Sequence, residues 1–471
     1  MTTEKKAVDR RSFVKGALAT AAVLPFSGVL AACAGGGSDT PSNTKGGGKV
    51  SSTNPFGMAD KSSVDAVIFD GGYGTDYVSF AATLMQKNHA GSTVKVSPTT
   101  KIATELQPRF VGGTPPDLID NSGADAIGFS TILDQIEDLK DVLDANNLEG
   151  QKIRDTLFGG VEEPGTYDGK LAALNYVLTV YAVWYSASLF EQNGWTPPKT
   201  WDEAMALGAK AKAKDKYLFL WGKEAATYYQ TLAIGSAIKE GGDEVRLSLE
   251  NLEADSWSKP AMQDVLKGMG EIVKAGYMKP GGAGTQFTAA QAQWSNNQDA
   301  LLYPSGSWIE NEMKDTTKAD FKMTGFPEMT VTGSSSMPYA ALHSASGEPF
   351  VIPTKGKNVA GGKELLRTML SKEAATNFAK TKLAPTIVKG TVPADGFGST
   401  ALVSQNDLLS AAGSDVFTWK FVDLYGMNTD QLVIWNSFLA GKADVAALTK
   451  GLQEITDKVR EDDSIKKIQV T

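Results

Sequence analysis

The chain has 471 residues, 46 of them basic and 54 acidic, for a formal net charge of −8 at neutral pH. That length exceeds what one hydrophobic core organises and implies two or more lobes. The acidic balance argues against a phosphate-binding surface, so no nucleic-acid partner is expected; 42% hydrophobic and 21% charged residues exclude a disordered or multi-spanning chain.

Cations gather at the start, where Lys5, Lys6, Arg10, Arg11 and Lys15 precede an apolar, Ala-rich run from Gly16 to Ala32 interrupted by Pro25. The run is shorter than the roughly 20 residues of a spanning helix and reads as the apolar region of an export signal. Asp9 to Lys15 resembles the twin-arginine signal. Leu30-Ala31-Ala32-Cys33 resembles the bacterial lipobox, and Cys33 is the only cysteine, so no disulfide can form within the chain. Residues 1–32 are therefore expected to be a lipoprotein signal peptide, with Cys33 lipidated. Acyl chains, at about 0.8 kcal/mol per buried methylene, would then hold the exported protein on the outer face of the cytoplasmic membrane. From Ala34 to Asn54 glycine triplets alternate with Ser and Thr, which predicts a flexible tether over 33–54. Gly46-Gly47-Gly48-Lys49 lacks the glycine spacing, strand and helix of a P-loop.

Folded structure is expected from Val64, where Val64 to Asp70 is a branched, apolar strand ending at a glycine turn. A helix over Tyr77–Lys87, a strand over Thr93–Val96, a helix over Thr100–Val111 and a segment Pro116–Asp120 follow. Such alternation predicts a parallel sheet with ligands beyond the carboxyl ends of its strands. The two strand ends to watch are Asp70–Asp76 and Asp120–Gly123. Asp70-Gly71-Gly72-Tyr73-Gly74 fails the dinucleotide fingerprint, whose third glycine would fall at Tyr77, so it reads as a tight loop presenting Tyr73 and Asp76. Thr200 and Glu203 form a capping box ahead of a helix to Lys214. Val445, Leu448, Leu452, Ile455 and Val459 make one apolar stripe, expected to pack in the core.

Several motifs, in order and spacing, resemble the carbohydrate-binding proteins of ABC importers (extracellular solute-binding family 1). They are Gly113-Thr114-Pro115-Pro116-Asp117, Tyr167-Asp168-Gly169-Lys170, Val183-Trp184-Tyr185-Ser186, Pro198-Lys199-Thr200-Trp201-Asp202-Glu203, Ser305-Gly306-Ser307-Trp308 with Phe326-Pro327, and Gly347 to Pro353. Within that family, Val67 to Gly72, Leu106 to Phe110 with Asp120 to Ala124, and Val180 to Ser186 are most similar to receptors of N-acetylglucosamine and diacetylchitobiose. Ser186 and Asn297-Gln298-Asp299 depart from the broader pattern.

The resemblance implies an α/β fold of two lobes with a ligand cleft between them. Lobe 1 would be 55–177 plus 306–350 and lobe 2 would be 178–305 plus 351–471, joined near Asn175–Leu178, Tyr303–Ser305 and Gly347–Phe350. It implies a monomer that binds an aminosugar or chito-oligosaccharide by lobe closure, with an ABC permease and its ATPase as partners, no cofactor and no metal. It also implies an amphipathic helix around Leu366–Phe378.

Pyranose sites combine flat aromatic platforms with short carboxylates and amides. Trp308, in the glycine-x-tryptophan motif, is the leading platform; Trp221 and Trp435 are further candidates that could equally pack in a core. Asp120, Asn121, Tyr73 and Asp76 are the polar candidates, and one of Tyr228-Tyr229 is expected to face the sugar. The rival readings are a glycosidase, which needs two carboxylates about 5 to 10 Å apart, and a ferric binder using Tyr228-Tyr229. With only His89 and His343, and those far apart in sequence, a zinc site or serine triad has little material.

Overall fold

The computed structural model describes residues 47–158 and 160–470. The export signal, Cys33 and the first part of the expected tether lie outside the described residues. No helix among the described residues is long and apolar enough to cross a membrane.

The expected tether boundary needs correction. Ser51 and Asn54 close a turn by two backbone hydrogen bonds of 3.1 and 3.2 Å. The Asn54 amide then donates to the Lys49 and Met58 carbonyls, and Arg367 donates to the Thr53 carbonyl at 3.3 Å. Phe56 and Met58 are buried. Residues 47–58 are thus part of the folded body, because Asn54 and Arg367 satisfy backbone groups that a free linker would leave to water.

β1 (Ser63–Phe69) pairs in parallel with β2 (Thr93–Thr99) on one side and β3 (Leu118–Asp120) on the other. Helices Asp76–Asn88 and Ile102–Val111 return the chain between them, as the alternation predicted. After the small hairpin β4 (Thr166–Tyr167) and β5 (Lys170–Leu171) comes β6 (Leu174–Ser186), whose 13 residues are almost continuously apolar and buried. Then follow β7 (Tyr217–Phe219), β8 (Ala300–Gly306), β9 (Met323–Phe326), β10 (Leu342–Val351) and β11 (Val416–Phe417). They form one sheet in the order β2-β1-β3-β10-β6-β8-β7, with β11 added to β10 and β9 to β6.

β6 and β10 are the long members, and each serves both halves of the molecule. β10 pairs antiparallel with β3 at Phe350–Asp120 and with β6 from Ser344–Val180 to Phe350–Leu174. Farther on, β6 pairs with β8 and β9. Because β10 is an antiparallel return, the segments flanking it exchange sides relative to the sequence expectation. Ile309, Met313, Phe321 and Met323 share a core with Trp184, Trp294 and Tyr303, so 306–341 packs with the second half. Leu365, Leu366 and Phe378 share a core with Val64 and Ile68, so the segment after β10 packs with the first. The chain does not cross at Tyr303–Ser305. It passes back between Val388, bridged to Leu157, and the helix Thr400–Ala412, whose Thr400 donates to the Met323 carbonyl at 2.8 Å.

Local signals held elsewhere. Thr200 Oγ1 accepts from the Glu203 amide at 3.2 Å and starts the helix Trp201–Lys212. The helix Val445–Glu461 buries Leu448, Leu452 and Val459. The amphipathic stretch around Leu366–Phe378 is two helices, Val359–Met369 and Lys372–Lys382, because Ser371 caps the second by accepting from the Ala374 amide.

Candidate functional site

The ends of β1, β3 and β8 meet the crossing strand β10 at one place. The loop after β1 touches the turn after β8, where the Asn311 amide donates to the Gly72 carbonyl at 2.5 Å. Trp308, half-buried, fills this junction. Gly72 and Gly306 leave room for its ring: a Cβ on Gly72 would lie 2.9 Å from Trp308 Cδ1, and one on Gly306 would lie 2.0 Å from Cζ3. Tyr181 meets the ring edge-on at 5.6 Å between centroids and Tyr228 is tilted against it at 5.7 Å. Trp308 and Tyr228, both singled out from sequence, are thereby brought together.

Beside this cluster lies a carboxyl pair. Asp120 ends β3 fully buried and accepts from the Tyr77 hydroxyl at 3.3 Å. The Ser122 hydroxyl lies in short contact with Asp120 Oδ1 and 2.6 Å from Glu348 Oε2. One hydroxyl hydrogen cannot serve both carboxyls, so the pair holds a proton of its own. Burial pushes both carboxyls up, and for Asp120 the Glu348 charge adds to the shift. Glu348 sits at φ 54°, a left-handed conformation rare outside glycine, and such outliers concentrate at functional sites. The Tyr73 hydroxyl is buried beside the Ser307 and Thr179 hydroxyls.

A second aromatic group extends along β10. His343 is sandwiched between Tyr181, at 4.3 Å and 9°, and Trp419, at 3.7 Å and 21°. Burial holds His343 neutral, its pKa pushed down to about 3. Asp423 lies within electrostatic reach of Tyr181. Solvent reaches Asp423, yet protein atoms crowd it and push its carboxyl up to about 6. Among the described residues, Asp120, Glu348 and Asp423 form no ion pair. The arrangement offers ring faces, hydroxyls and carboxyl oxygens to a neutral, hydroxyl-rich ligand.

Contacts also join β4 and the segment after β3 to the last part of the chain. Lys420 donates to the Glu163 and Thr166 carbonyls at 2.8 and 3.2 Å, pairs with Glu163 Oε1 at 2.6 Å and lies 5.5 Å from the Tyr167 ring centroid. Thr429 donates to the Ala124 carbonyl at 3.1 Å.

The other sequence candidates are hydrogen-bonded at other places in the fold. Asn121 spends both ends of its amide on the Ile127 backbone, at 2.8 Å each. Asp76 pairs with Lys382 at a helix start. Trp221 is buried and donates to Asn436 at 3.2 Å. Trp435 is fully buried and donates to Gln230 at 2.7 Å. Tyr229 turns inward and donates to the Leu220 carbonyl. Among the described residues no group of three His, Cys, Asp or Glu side chains is placed to hold a metal. Sequence reasoning missed Tyr181, Ser122, His343, Glu348, Trp419 and Asp423. Tyr181, Ser122 and Glu348 stand inside motifs it quoted; the others carry no local signal.

Residues 69–376 match the model of the bacterial extracellular solute-binding protein family. The chain is 61% identical, over the whole of both chains, to the diacetylchitobiose binding protein NgcE of Streptomyces coelicolor. Among solved structures, a chitin oligosaccharide binding protein superposes with a TM-score of 0.68 at 17% identity, over 84% of this chain and 98% of that one. RafE in complex with raffinose superposes with a TM-score of 0.66 at 19% identity, over 84% and 99%. At those identities the two structures speak for the two-lobe fold.

Proposed function

The chain belongs to the bacterial extracellular solute-binding protein family, and we propose that it captures N-acetylglucosamine and its dimer diacetylchitobiose outside the cell and delivers them unaltered to an ABC permease. The observation that carries this reading is the 61% identity, end to end, with a diacetylchitobiose binding protein. The site geometry agrees with it, since a Trp308 platform stands beside the Asp120–Ser122–Glu348 acceptors. A sugar touching both lobes favours the closed state by its differential affinity, and the permease reads that state while a separate ATPase supplies the work. Cleavage is disfavoured on geometric grounds: Asp120 and Glu348 are hydrogen-bonded to each other and share the Ser122 hydroxyl, closer together than the roughly 5 to 10 Å that a glycosidase pair needs.

In this proposal lobe 1 comprises the segment up to about 177 together with the stretch from β10 to about 388, and lobe 2 the remainder. The receptor works as a monomer, held to the membrane by lipid on Cys33. Calorimetric titration of the unlipidated mature protein with N-acetylglucosamine, diacetylchitobiose and maltose, with analysis of the recovered sugar, tests the reading. Micromolar or tighter binding of an acetylated sugar recovered intact is expected. Silence toward acetylated sugars refutes the substrate, and a cleaved dimer refutes the receptor.

A further inference from the structure

Asp423 stands by the aromatic group on β10 with no protein partner of its own. It lies on the short helix Phe421–Tyr425, whose Phe421, Leu424 and Tyr425 are buried in a core shared with Phe129, Ile132 and Tyr167. Just before the helix, β11 pairs with Leu342 and His343 at the start of β10, and Trp419 stacks on His343. The carboxyl is thus carried on a segment fixed at both ends, as a binding group must be. It is open to solvent and crowded by protein at once, the condition of a side chain on the wall of a cleft.

Two phenols lie near it. Asp423 is an electrostatic neighbour of Tyr181, which meets Trp308 edge-on, and of Tyr167. Among the described residues, no hydrogen bond engages either phenol hydroxyl, and neither a hydrogen bond nor an ion pair engages the Asp423 carboxyl. Lys420 is the nearest cation in sequence, and it is spent on the Glu163 carboxylate and the Glu163 and Thr166 carbonyls. An ionised carboxyl offers two acceptors and no donor, so a ligand that expels water from it must supply two donors side by side. N-acetylglucosamine has a single pair of adjacent hydroxyls, on C3 and C4, because C2 carries the acetamido group and C5 carries no hydroxyl. In diacetylchitobiose the link through C4 leaves that pair free only on the non-reducing ring.

Resting on the sugar reading above, we propose that Asp423 reads the non-reducing end of the ligand, its two carboxyl oxygens accepting from the C3 and C4 hydroxyls. Chains extended from the other end keep this contact, whereas a sugar whose C4 hydroxyl is inverted or substituted loses part of it.

The test measures N-acetylglucosamine and its 3-deoxy and 4-deoxy derivatives by competition calorimetry against diacetylchitobiose. It compares wild type with Asp423→Ala at pH 8, where the carboxyl, pushed by burial up to about 6, is ionised. Wild type should prefer the parent sugar over each deoxy compound by at least about tenfold, since a hydrogen bond to a charged group contributes about that much. Asp423→Ala should lose at least about tenfold for the parent and bind all three sugars within about threefold of one another. Its unfolding midpoint should not move, because the carboxyl holds nothing in the fold. Wild-type affinity for either deoxy compound within about twofold of the parent overturns the proposal. So does a preference for the parent that Asp423→Ala leaves unchanged. The deoxy series on wild type needs no variant to fold. Failure of wild type to bind N-acetylglucosamine and diacetylchitobiose alike would overturn the sugar reading itself, which separates the two failures.

Discussion

Gly306→Ala is the sharpest probe of the Trp308 platform, because it leaves the indole in place and moves it. The new methyl would lie 2.0, 2.3 and 2.4 Å from Cζ3, Cη2 and Cε3, whereas ordinary contact begins near 3.4 Å, so something must yield by about 1.4 Å. Strand β8 is held there by pairing of Gly306 with Tyr181 on β6, which leaves the ring as the softer partner. A gap of about 1 Å already forfeits up to about half of a dispersion contact, and truncating a buried aromatic anchor costs about 2 kcal/mol or more in binding. Gly306→Ala should therefore weaken diacetylchitobiose binding by about 1–2 kcal/mol, roughly five- to thirtyfold, and Trp308→Ala by at least as much. Overpacking should also lower unfolding stability by about 1–3 kcal/mol. Calorimetry at 25 °C with urea titrations of each variant reads both quantities. Binding within twofold of wild type in both variants, with the expected stability loss in Gly306→Ala, would refute Trp308 as the platform.

Lys420→Gln removes its contacts with Glu163 and should weaken sugar binding about three- to tenfold while enlarging the radius of gyration in solution scattering; an unchanged radius and affinity would show that this contact does not favour closure. Glu250, 2% exposed, is pushed by burial from an ordinary 4.5 up to about 7, against the opposing pull of the Lys420 amide and the Arg246 and Lys420 charges. Folding thus favours its protonated form, so this contribution is complete below about pH 4.5 and is lost as pH rises through about 7. Glu250→Gln should gain on the order of 3 kcal/mol relative to wild type at pH 8 and almost nothing at pH 4.5, and denaturant titrations at equal gain would contradict that. Arg367→Met strips the bidentate partner from Glu364, which is fully buried, and should cost about 3–5 kcal/mol in denaturant unfolding. It should also expose residues 47–58 to limited proteolysis, and retention of both properties would show that Arg367 does not anchor that segment.

What the sequence disclosed was whatever a local pattern encodes. The β1 strand, its two following helices and the Thr200 cap depend on residues within a few positions of one another, and Trp308 was announced by the glycine before it. His343 and Trp419 reach the site because β10 returns antiparallel and β11 pairs with its start, a long-range fact without a short-range signature. The same return strand explains why 306–341 and the segment after β10 were expected in each other's lobe. Trp221 and Trp435 were open to two readings for another reason: a large indole is as suited to a core as to a sugar face, and their hydrogen bonds to Asn436 and Gln230 follow from tertiary contacts. Asn121 stands next to a site residue, yet its amide is spent on the Ile127 backbone.

The pairing of β6 with β10 restricts how the molecule can open. Two isolated connections would let one half swivel freely about either, but strands hydrogen-bonded from Ser344–Val180 to Phe350–Leu174 bend only as a ribbon. Flexure in the plane of the ribbon would shear those bonds, whereas flexure out of the plane keeps them, so one soft direction of motion remains. Capture then resembles the shutting of a book along its spine. A substitution in the ribbon far from any sugar contact would change the dwell times of the open and shut forms while leaving the shape of the shut form as it was.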